Sequence, residues 1–165
     1  MPYHWSPGTG PDEDHGKEGR HGADEAELNE IIGLRHELHR HPERSGEEHE
    51  TAKRIERFLA RYGPDRVVEV AGTGRVFVFE GREEGPSVLF RADLDALPIE
   101  EENEGLPHRS TRPETAHLCG HDGHMAILAA LAARIAADRP RRGRALLLFQ
   151  PDEERGLGAH RVVED

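Results

Sequence analysis

The apolar segment from Gly120 to Ala137 constrains the fold more than any other stretch of this sequence. Its length is that of a helix of about five turns, and its alanines and leucines make it apolar on most faces. A helix that is apolar all round has to be buried between other elements. The sequence therefore predicts a packed core with this helix inside it.

Two short apolar runs, Val88 to Phe90 and Ala145 to Phe149, are predicted to be strands of the same core. Both are almost wholly apolar, which is typical of strands buried on both faces. Weaker strand patterns at 67–70 and 75–79 are separated by glycine turns, and helical patterns at 24–40 and 46–62 precede them. This alternation predicts an α/β fold with a largely parallel sheet covered on both faces.

The first 27 residues differ in composition from the rest of the chain. They contain no Leu, Ile, Val or Phe and are rich in Gly, Pro, His and acidic residues. Such a segment cannot bury enough apolar surface to offset the entropy of ordering it. We therefore predict a disordered arm over residues 1–27 and a folded domain over residues 28–165.

The overall charge and the single cysteine restrict the partners and the compartment. The formal net charge of −11 argues against binding to nucleic acid or to an anionic membrane surface. No apolar run approaches the ~20 residues needed to span a bilayer. One cysteine excludes an internal disulfide and suits a reducing compartment, so we expect a cytoplasmic protein.

Residues with metal-binding chemistry occur on either side of the apolar helix and the last strand. Cys119 and His121 lie where the helix should begin, and Glu153 and Glu154 follow the strand that ends at Phe149. A thiolate, an imidazole and a carboxylate suit zinc and related ions, and the helix dipole should lower the pKa of Cys119. Taken singly, Cys119 also fits a buried structural thiol, and the two acids fit a solvated loop.

Three other polar stretches have less specific patterns. Asp93 and Asp95 follow the strand 88–90, where either a solvated turn or a hydrogen bond to a ligating histidine explains them. The histidines at 36, 39 and 41 predict a solvated helix end rather than a metal site, because their spacing is not that of the zinc-binding His-Glu-x-x-His motif. The acidic run 100–104 predicts a surface loop that continues to about residue 116.

Three ordered motifs resemble the successive signatures of the aminoacylase-like metal-dependent amidohydrolases, a metallopeptidase family that includes hippurate hydrolases, N-acyl-amino-acid amidohydrolases and indole-acetyl-amino-acid hydrolases. The motifs are Arg91-Ala-Asp-Leu-Asp-Ala-Leu-Pro-Ile99, His117-Leu-Cys-Gly-His-Asp-Gly-His124 and Phe149-Gln-Pro-Asp-Glu-Glu154. The stretch Leu38-His-Arg-His-Pro-Glu43 also resembles the opening of that family. The resemblance covers roughly residues 31 to 165.

The resemblance implies a three-layer αβα catalytic domain of the zinc-peptidase type, with a parallel or mixed sheet and two divalent metal ions (Zn, Mn, Co or Ni). It implies Cys119, His121 and Glu154 as metal ligands, Glu153 as the general base, and Asp95 as an acid behind a ligand. The implied reaction is hydrolysis of the amide bond of an N-acyl amino acid or small peptide. Asp93 and His124 match motif positions without an implied role.

The resemblance also predicts what this chain lacks. Members of the family run to about twice this length or more, with further histidine ligands and an inserted dimerisation domain after the third motif. We therefore expect this chain to be the N-terminal part of the catalytic domain. It would lack two ligands and the domain through which the family forms homo-oligomers. A catalytically incomplete fragment is the alternative to an active enzyme.

Overall fold

The structure is a computed structural model that describes residues 25–165. Its elements, in chain order, are α1 (Glu25–Arg40), α2 (His49–Leu59) with a 3-10 turn (Ala60–Tyr62), β1 (Arg66–Val70), β2 (Gly74–Glu80), β3 (Glu83–Asp93), α3 (His121–Ala137), β4 (Arg142–Gln150) and α4 (Gly158–Glu164). Each helix and strand predicted from the sequence is present, with ends that differ by a few residues.

The four strands form one mixed sheet in the order β1-β2-β4-β3. Strands β1 and β2 form an antiparallel hairpin, β2 and β4 are also antiparallel, and β3 and β4 are parallel. A short turn can join only antiparallel neighbours, whereas the α3 crossover returns the chain parallel to β3. The α/β class and a mixed sheet are confirmed, but the sheet of the described residues is not largely parallel, because only the β3–β4 pair that α3 connects is parallel.

Alternate residues of the sheet build the core together with three helices. Phe77 and Phe79 of β2 and Leu147 and Phe149 of β4 all point to the face that α1, α2 and α3 cover. The helical residues fully or almost fully buried against them are Leu38, Ala52, Ile55, Leu59, Met125, Ala129 and Ala132. Helix α3 is buried along its length but not on every face as predicted, since Ile127 is 69% exposed. Strand β4 lies inside the sheet between two other strands and is mostly buried, as predicted.

Strand β3 is not buried on both faces, so that prediction was wrong. The exposed fractions of Val88, Leu89 and Phe90 are 49%, 53% and 39%. The reason is position: β3 is the outer strand of the sheet in the described part of the chain, and only β4 pairs with it. An apolar run indicates that a strand can be buried, but the neighbours that bury it lie elsewhere in the chain.

The boundary predicted between arm and domain falls inside a helix. Helix α1 begins at Glu25, so residues 25–27 are helical rather than disordered. The rest of the predicted arm, residues 1–24, lies outside the described residues. Within residues 25–165, no helix is both long and apolar enough to cross a membrane.

Replacing Phe77 with alanine should destabilise the protein strongly. The ring is fully buried and packs edge-to-face against Phe149, with 5.5 Å between the ring centroids. Loss of a buried phenyl ring and the resulting cavity should lower the free energy of unfolding by roughly 3–5 kcal/mol, measured by urea denaturation. The control is Val163→Ala, at a position that is 85% exposed. Equal midpoints for the two variants would contradict this core.

Candidate metal centre

Three side chains predicted to bind metal converge at one edge of the sheet. The Cys119 sulfur, a His121 ring nitrogen and a Glu154 carboxylate oxygen all lie within 4.8 Å of one another. Among residues 25–165, no other group of three His, Cys, Asp or Glu side chains is this close. The Nε2 atom of His121 lies 3.8 Å from Glu154 Oε1 and 3.7 Å from Glu153 Oε2.

The topology explains why these residues meet. Parallel strands β3 and β4 end side by side, with Asp93 opposite Gln150 in the register. The amide of Leu94 donates to the Gln150 carbonyl at 2.8 Å, which extends the pairing into the loops that follow. Helix α3 starts at the same edge, after Gly120 with φ of 95°. That left-handed conformation favours glycine and turns the Cys119 segment into the helix.

Asp95 links the segments that form this centre. It is fully buried, and its Oδ2 accepts hydrogen bonds from Ser45 Oγ at 2.6 Å and from the Glu154 amide at 2.9 Å. The Nδ1 atom of His121 contacts the Asp95 carbonyl oxygen at 2.8 Å and lies 3.6 Å from its Oδ1. These contacts fix the imidazole so that Nε2 faces the carboxylates of Glu153 and Glu154.

The same contacts shift the pKa values of Asp95 and His121 in opposite directions. Burial raises the pKa of Asp95, but the adjacent His121 ring and the hydrogen bonds from Ser45 and from the backbone of the 153–154 turn outweigh it and bring that pKa down to about 2. The hydrogen bond with Asp95 outweighs burial and raises the pKa of His121 to about 9. A cation at this site would therefore compete with a proton for the His121 ring.

A second buried acid, Glu48, binds the backbone at the start of the turn that carries Glu153 and Glu154. Its carboxylate is fully buried and accepts three hydrogen bonds: from the Asp152 amide at 2.9 Å, the Gly46 amide at 2.7 Å and Thr73 Oγ1 at 2.7 Å. With three donors on two oxygens, the carboxylate is well satisfied despite its burial. Glu48 therefore fixes the backbone at the start of the turn.

Asp152 gives the turn its shape. Its φ of 59° is in the left-handed region, and its side chain is fully buried. The carboxylate bonds Arg155 Nε at 2.5 Å and Arg161 Nη1 at 2.8 Å, which offsets the strain of that conformation. Sequence reasoning assigned no role to Glu48 or Asp152, because no local pattern shows that an acid will be buried and paired from a distant segment.

One of the candidate ligands has a buried oxygen without a hydrogen-bond partner. Glu154 Oε1, Asp95 Oδ1 and both ring nitrogens of His117 are buried and have no hydrogen-bond partner among the described residues. An unpaired buried carboxylate oxygen is costly. A divalent ion would satisfy Glu154 Oε1, so the donor set fits a metal. Burial lowers the pKa of His117 to about 4, which keeps this ring neutral.

Two expectations for Cys119 were wrong. The thiol is exposed, so it is not a buried structural cysteine. Its pKa is raised rather than lowered, first by the hydrogen bond with Glu154, then by burial and by the charges of Glu154, Glu153 and Asp95. The negative charges of these neighbours raise the pKa by more than the helix dipole lowers it, because the dipole acts only as a partial charge at the end of the helix. A cation bound among the carboxylates would reverse that local field.

The prediction of a solvated helix end at the histidines was wrong for His39, and the surface-loop prediction was wrong for Glu101. Both side chains are buried, and they contact each other. His36 is half-buried and stacks on His108, with 3.8 Å between the ring centroids. Spacing gave no clear signal for this burial, because residues five after Leu34 and one after Leu38 do not lie on the same helix face as those leucines.

Comparison with known proteins agrees with this geometry. A family model, "Peptidase family M20/M25/M40", matches residues 89–165, which include all three motifs. The chain is 42% identical over 137 residues to the N-acetyl-L-cysteine deacetylase of Bacillus subtilis, covering 82% of this chain and 33% of that protein. It is 38% identical over 136 residues to the hippurate hydrolase of Campylobacter jejuni, covering 82% and 35%.

A solved structure gives the same result for the fold. A dinuclear metal-binding peptidase of the M20 family from Bacillus subtilis superposes with a TM-score of 0.81 and 40% sequence identity, covering 86% of this chain and 40% of that one. The fold of this chain is that of the matching part of the M20-family structure. Residues 89–165 therefore belong to the peptidase family M20/M25/M40, and the chain spans only 33% and 35% of the two curated relatives.

Glu48→Gln should loosen the turn that carries Glu153 and Glu154. The glutamine side chain would have only one acceptor oxygen. Its NH₂ group would face one of the N–H or O–H donors from which Glu48 accepts a hydrogen bond. We expect the free energy of unfolding to fall by roughly 1–3 kcal/mol, measured by urea denaturation. Glu47→Gln is the matched control, because Glu47 is the exposed neighbour of the same chemistry. A Glu48→Gln variant as stable as this control would contradict the role of Glu48.

The stability of the metal-free chain should fall as the pH rises from 6.5 to 9. His121 has a raised pKa of about 9, against 6.5 for a free imidazole, so the folded chain holds more protons in that window. Its contribution is complete below pH 6.5 and disappears as the pH passes 9. We expect a decrease on the order of 1–3 kcal/mol, measured in chelator by urea denaturation at several pH values.

The variant His121→Asn serves as the control for this pH dependence, since it has no titrating ring and should flatten the curve over that window. At the acid end, Asp95 contributes stability above pH 3.8 that is lost as the pH falls through about 2. A wild-type stability that is unchanged between pH 6 and pH 9.5 would contradict the His121–Asp95 pair.

Proposed function

We propose that this chain provides the N-terminal half of the active site of a metal-dependent amidohydrolase that cleaves the amide bond of N-acyl amino acids or related small peptides. The observation that carries the proposal is the convergence of Cys119, His121 and Glu154 within 4.8 Å, with the Glu153 carboxylate beside them. A soft sulfur, an imidazole nitrogen and a carboxylate oxygen form a donor set for first-row divalent ions.

In this proposal Cys119, His121 and Glu154 hold metal, and the M20 family relative with two bound metals supports a site for two divalent ions. Zinc, manganese, cobalt and nickel all suit the donors. When bound, the metal would supply an acidified water and a polarised carbonyl. Asp95 supports the centre because it fixes the orientation of the His121 ring.

Glu153 is the general base in this proposal. Its side chain is 37% exposed and points to the same space as His121 Nε2, at 3.7 Å. Arg91 Nη2 lies 4.0 Å from its other oxygen. Glu153 can therefore take a proton from an attacking water and later deliver it to the leaving amine. Glu154 differs from its neighbour because it is only 16% exposed and its Oε1 is unpaired.

The names of relatives support the substrate class. An N-acetyl-L-cysteine deacetylase, a hippurate hydrolase and an IAA-amino acid hydrolase of Arabidopsis thaliana each act, by name, on an acyl group joined to an amino acid. We propose an N-acyl amino acid as the substrate here, with neither nucleic acid nor membrane as a partner. A cytoplasmic location and assembly of the whole protein as a homo-oligomer complete the proposal.

A second candidate function is metal binding without turnover by this chain alone. It is favoured by the donor count, because the described residues bring together three ligand side chains, which suit one ion better than two. The chain also spans only 33–38% of its most similar relatives. Under this alternative the chain is a catalytically incomplete part of an amidohydrolase.

The deciding experiment measures metal content and turnover on the same protein. Purified chain supplied with Zn²⁺ or Mn²⁺ and a panel of N-acetyl amino acids should release free amino acid, with metal bound in stoichiometric amount. Glu153→Gln should keep the metal and lose turnover by roughly 10²–10⁴-fold, because only the proton acceptor is removed. Cys119→Ala should lose the metal.

Each outcome separates the two functions. Stoichiometric metal without released amino acid would support the second function over the first. A Glu153→Gln variant with the normal rate would show that another group is the base. If neither metal binds to the wild-type chain and Cys119→Ala behaves identically, the donor set is not a metal centre and both functions are overturned.

A further inference from the structure

A second buried polar cluster lies behind the candidate metal centre, around His39 of α1. The ring of His39 is 6% exposed and lies between two carboxylates from distant parts of the chain. Its Nδ1 is 3.0 Å from Asp122 Oδ2, and its Nε2 is 3.0 Å from Glu101 Oε1. Both acids are buried as well, at 1% and 4% exposure.

The proton count shows what holds this cluster together. A neutral imidazole has one N–H group, whereas both nitrogens of His39 face carboxylate oxygens at hydrogen-bond distance. Each carboxylate is also held by another donor: Arg35 Nε on Asp122 at 3.1 Å, and the Ser110 amide on Glu101 at 2.7 Å. Both contacts of His39 are satisfied when the ring is an imidazolium that donates from both nitrogens.

The ionised form of Glu101 agrees with this count. Burial raises the pKa of Glu101, but the hydrogen bonds from the Ser110 amide and from His39 outweigh it, so that pKa lies below its usual range. A charged ring between two buried carboxylates is a strong tie, because removing it would leave two buried negative groups without a donor.

The location of the two acids connects this cluster to the metal centre. Glu101 precedes, and Asp122 follows, the segment 102–121, which carries Cys119 and His121 near its end. Apart from a single β-bridge between Leu97 and Ala116, this segment contains no helix or strand up to the start of α3 at His121. A long irregular segment has many conformations unless its ends are fixed. His39 ties both ends to one point on α1.

We propose that His39 is a positioning residue for the metal centre. Its imidazolium bridges Glu101 and Asp122, holds segment 102–121 closed, and so places Cys119 and His121 where they can receive an ion. This role rests on the proposed function, because it presumes that these two residues bind metal. His39 touches neither the metal ligands nor the space in front of Glu153.

The middle of the segment has its own anchors, which makes the contribution of His39 separable. Arg40 Nη2 donates to the Pro107 carbonyl at 2.9 Å, and the Thr111 amide donates to the Arg40 carbonyl at 2.9 Å. These contacts attach residues 107–111 to the end of α1. The same part of the segment holds Glu101 through the Ser110 amide and Arg109 Nε, each at 2.7 Å. A loss of the His39 bridge should therefore loosen residues 112–121, next to Asp122, without releasing the middle of the segment.

The first measurement is hydrogen exchange on the metal-free full chain. His39→Gln can donate to only one of the two carboxylates, so amides within 112–121 should exchange at least tenfold faster than in the wild type. The matched control is His36→Gln, one turn earlier on α1, because His36 contacts His108 by stacking and neither of the two acids. It should leave the exchange rates of 112–121 unchanged. Local opening free energies are what this exchange reports.

The second measurement is a titration with Co²⁺, whose bond to a thiolate gives a charge-transfer band in the near ultraviolet. The wild-type chain should show this band, and His39→Gln should bind Co²⁺ roughly 10- to 100-fold more weakly, as is typical when a residue that orients ligands is removed. His36→Gln should bind as the wild type does. A general loss of folding would instead abolish the cooperative urea transition.

Two variants of Glu101 test the bridge without changing His39. In Glu101→Gln the amide can donate to Nε2 of a neutral His39 while its oxygen still accepts from the Ser110 amide, and the other ring nitrogen keeps donating to Asp122. This variant should retain the Co²⁺ affinity of the wild type within about threefold, a difference of about 0.7 kcal/mol. Glu101→Ala removes the contact and should lose affinity as His39→Gln does.

The outcomes distinguish this inference from the function on which it rests. If the wild type shows no thiolate band, the proposed metal centre is overturned, and the positioning role with it. If the wild type binds Co²⁺ and His39→Gln binds equally well, or Glu101→Gln and Glu101→Ala weaken binding equally, only the positioning role is overturned. Should His39→Gln fail to fold, the two Glu101 variants decide the matter alone.

Discussion

The buried carboxylate of Asp95 is the interaction on which the candidate metal centre depends. It joins the loop after β3 to the segment before α2 through Ser45 and to the turn after β4 through the Glu154 amide, while the backbone carbonyl of Asp95 contacts His121 at the start of α3. A buried charge is tolerated only where hydrogen bonds replace its hydration. The three segments therefore have to meet at Asp95 for the chain to fold with this acid ionised.

Other buried acids lie around that centre, and they bind different parts of the chain. Glu48 accepts a hydrogen bond from the backbone of the turn 151–154, and Glu101 and Asp122 both contact the ring of His39 in α1. The acids of residues 25–165 are thus divided between a solvated surface and a small buried set that fixes backbone positions. The high negative charge of the sequence conceals this division, because composition counts both kinds alike.

The local sequence pattern was enough to predict the helices and strands. It was not enough to predict which distant parts of the chain they contact. The apolar periodicity of α3 and β4 predicted both correctly, because burial of these elements follows from their own composition. The same reasoning failed for Val88 to Phe90, whose burial depends on a neighbour beyond β3, and for His39, whose partners are 62 and 83 residues away. Long-range pairing of polar groups leaves no periodic trace in a sequence.

The site was predictable to a different extent. Residue chemistry alone left Cys119 and the pair of glutamates ambiguous, and the resemblance of three ordered motifs resolved which residues to consider together. The structure brings Cys119, His121 and Glu154 together, and it shows that neighbouring charges reverse the expected pKa shift of the thiol. A helix dipole can be inferred from sequence, whereas the sum of nearby charges requires coordinates.

The outer position of β3 has a consequence for handling the protein in solution. In the described part of the chain its far side offers a row of unpaired amide and carbonyl groups beside exposed Val88, Leu89 and Phe90. Such a strand is a template for another extended polypeptide. Glu83, Glu84 and Pro86 at its beginning oppose pairing there. The apolar second half of β3 is therefore where we expect contact between molecules at high protein concentration.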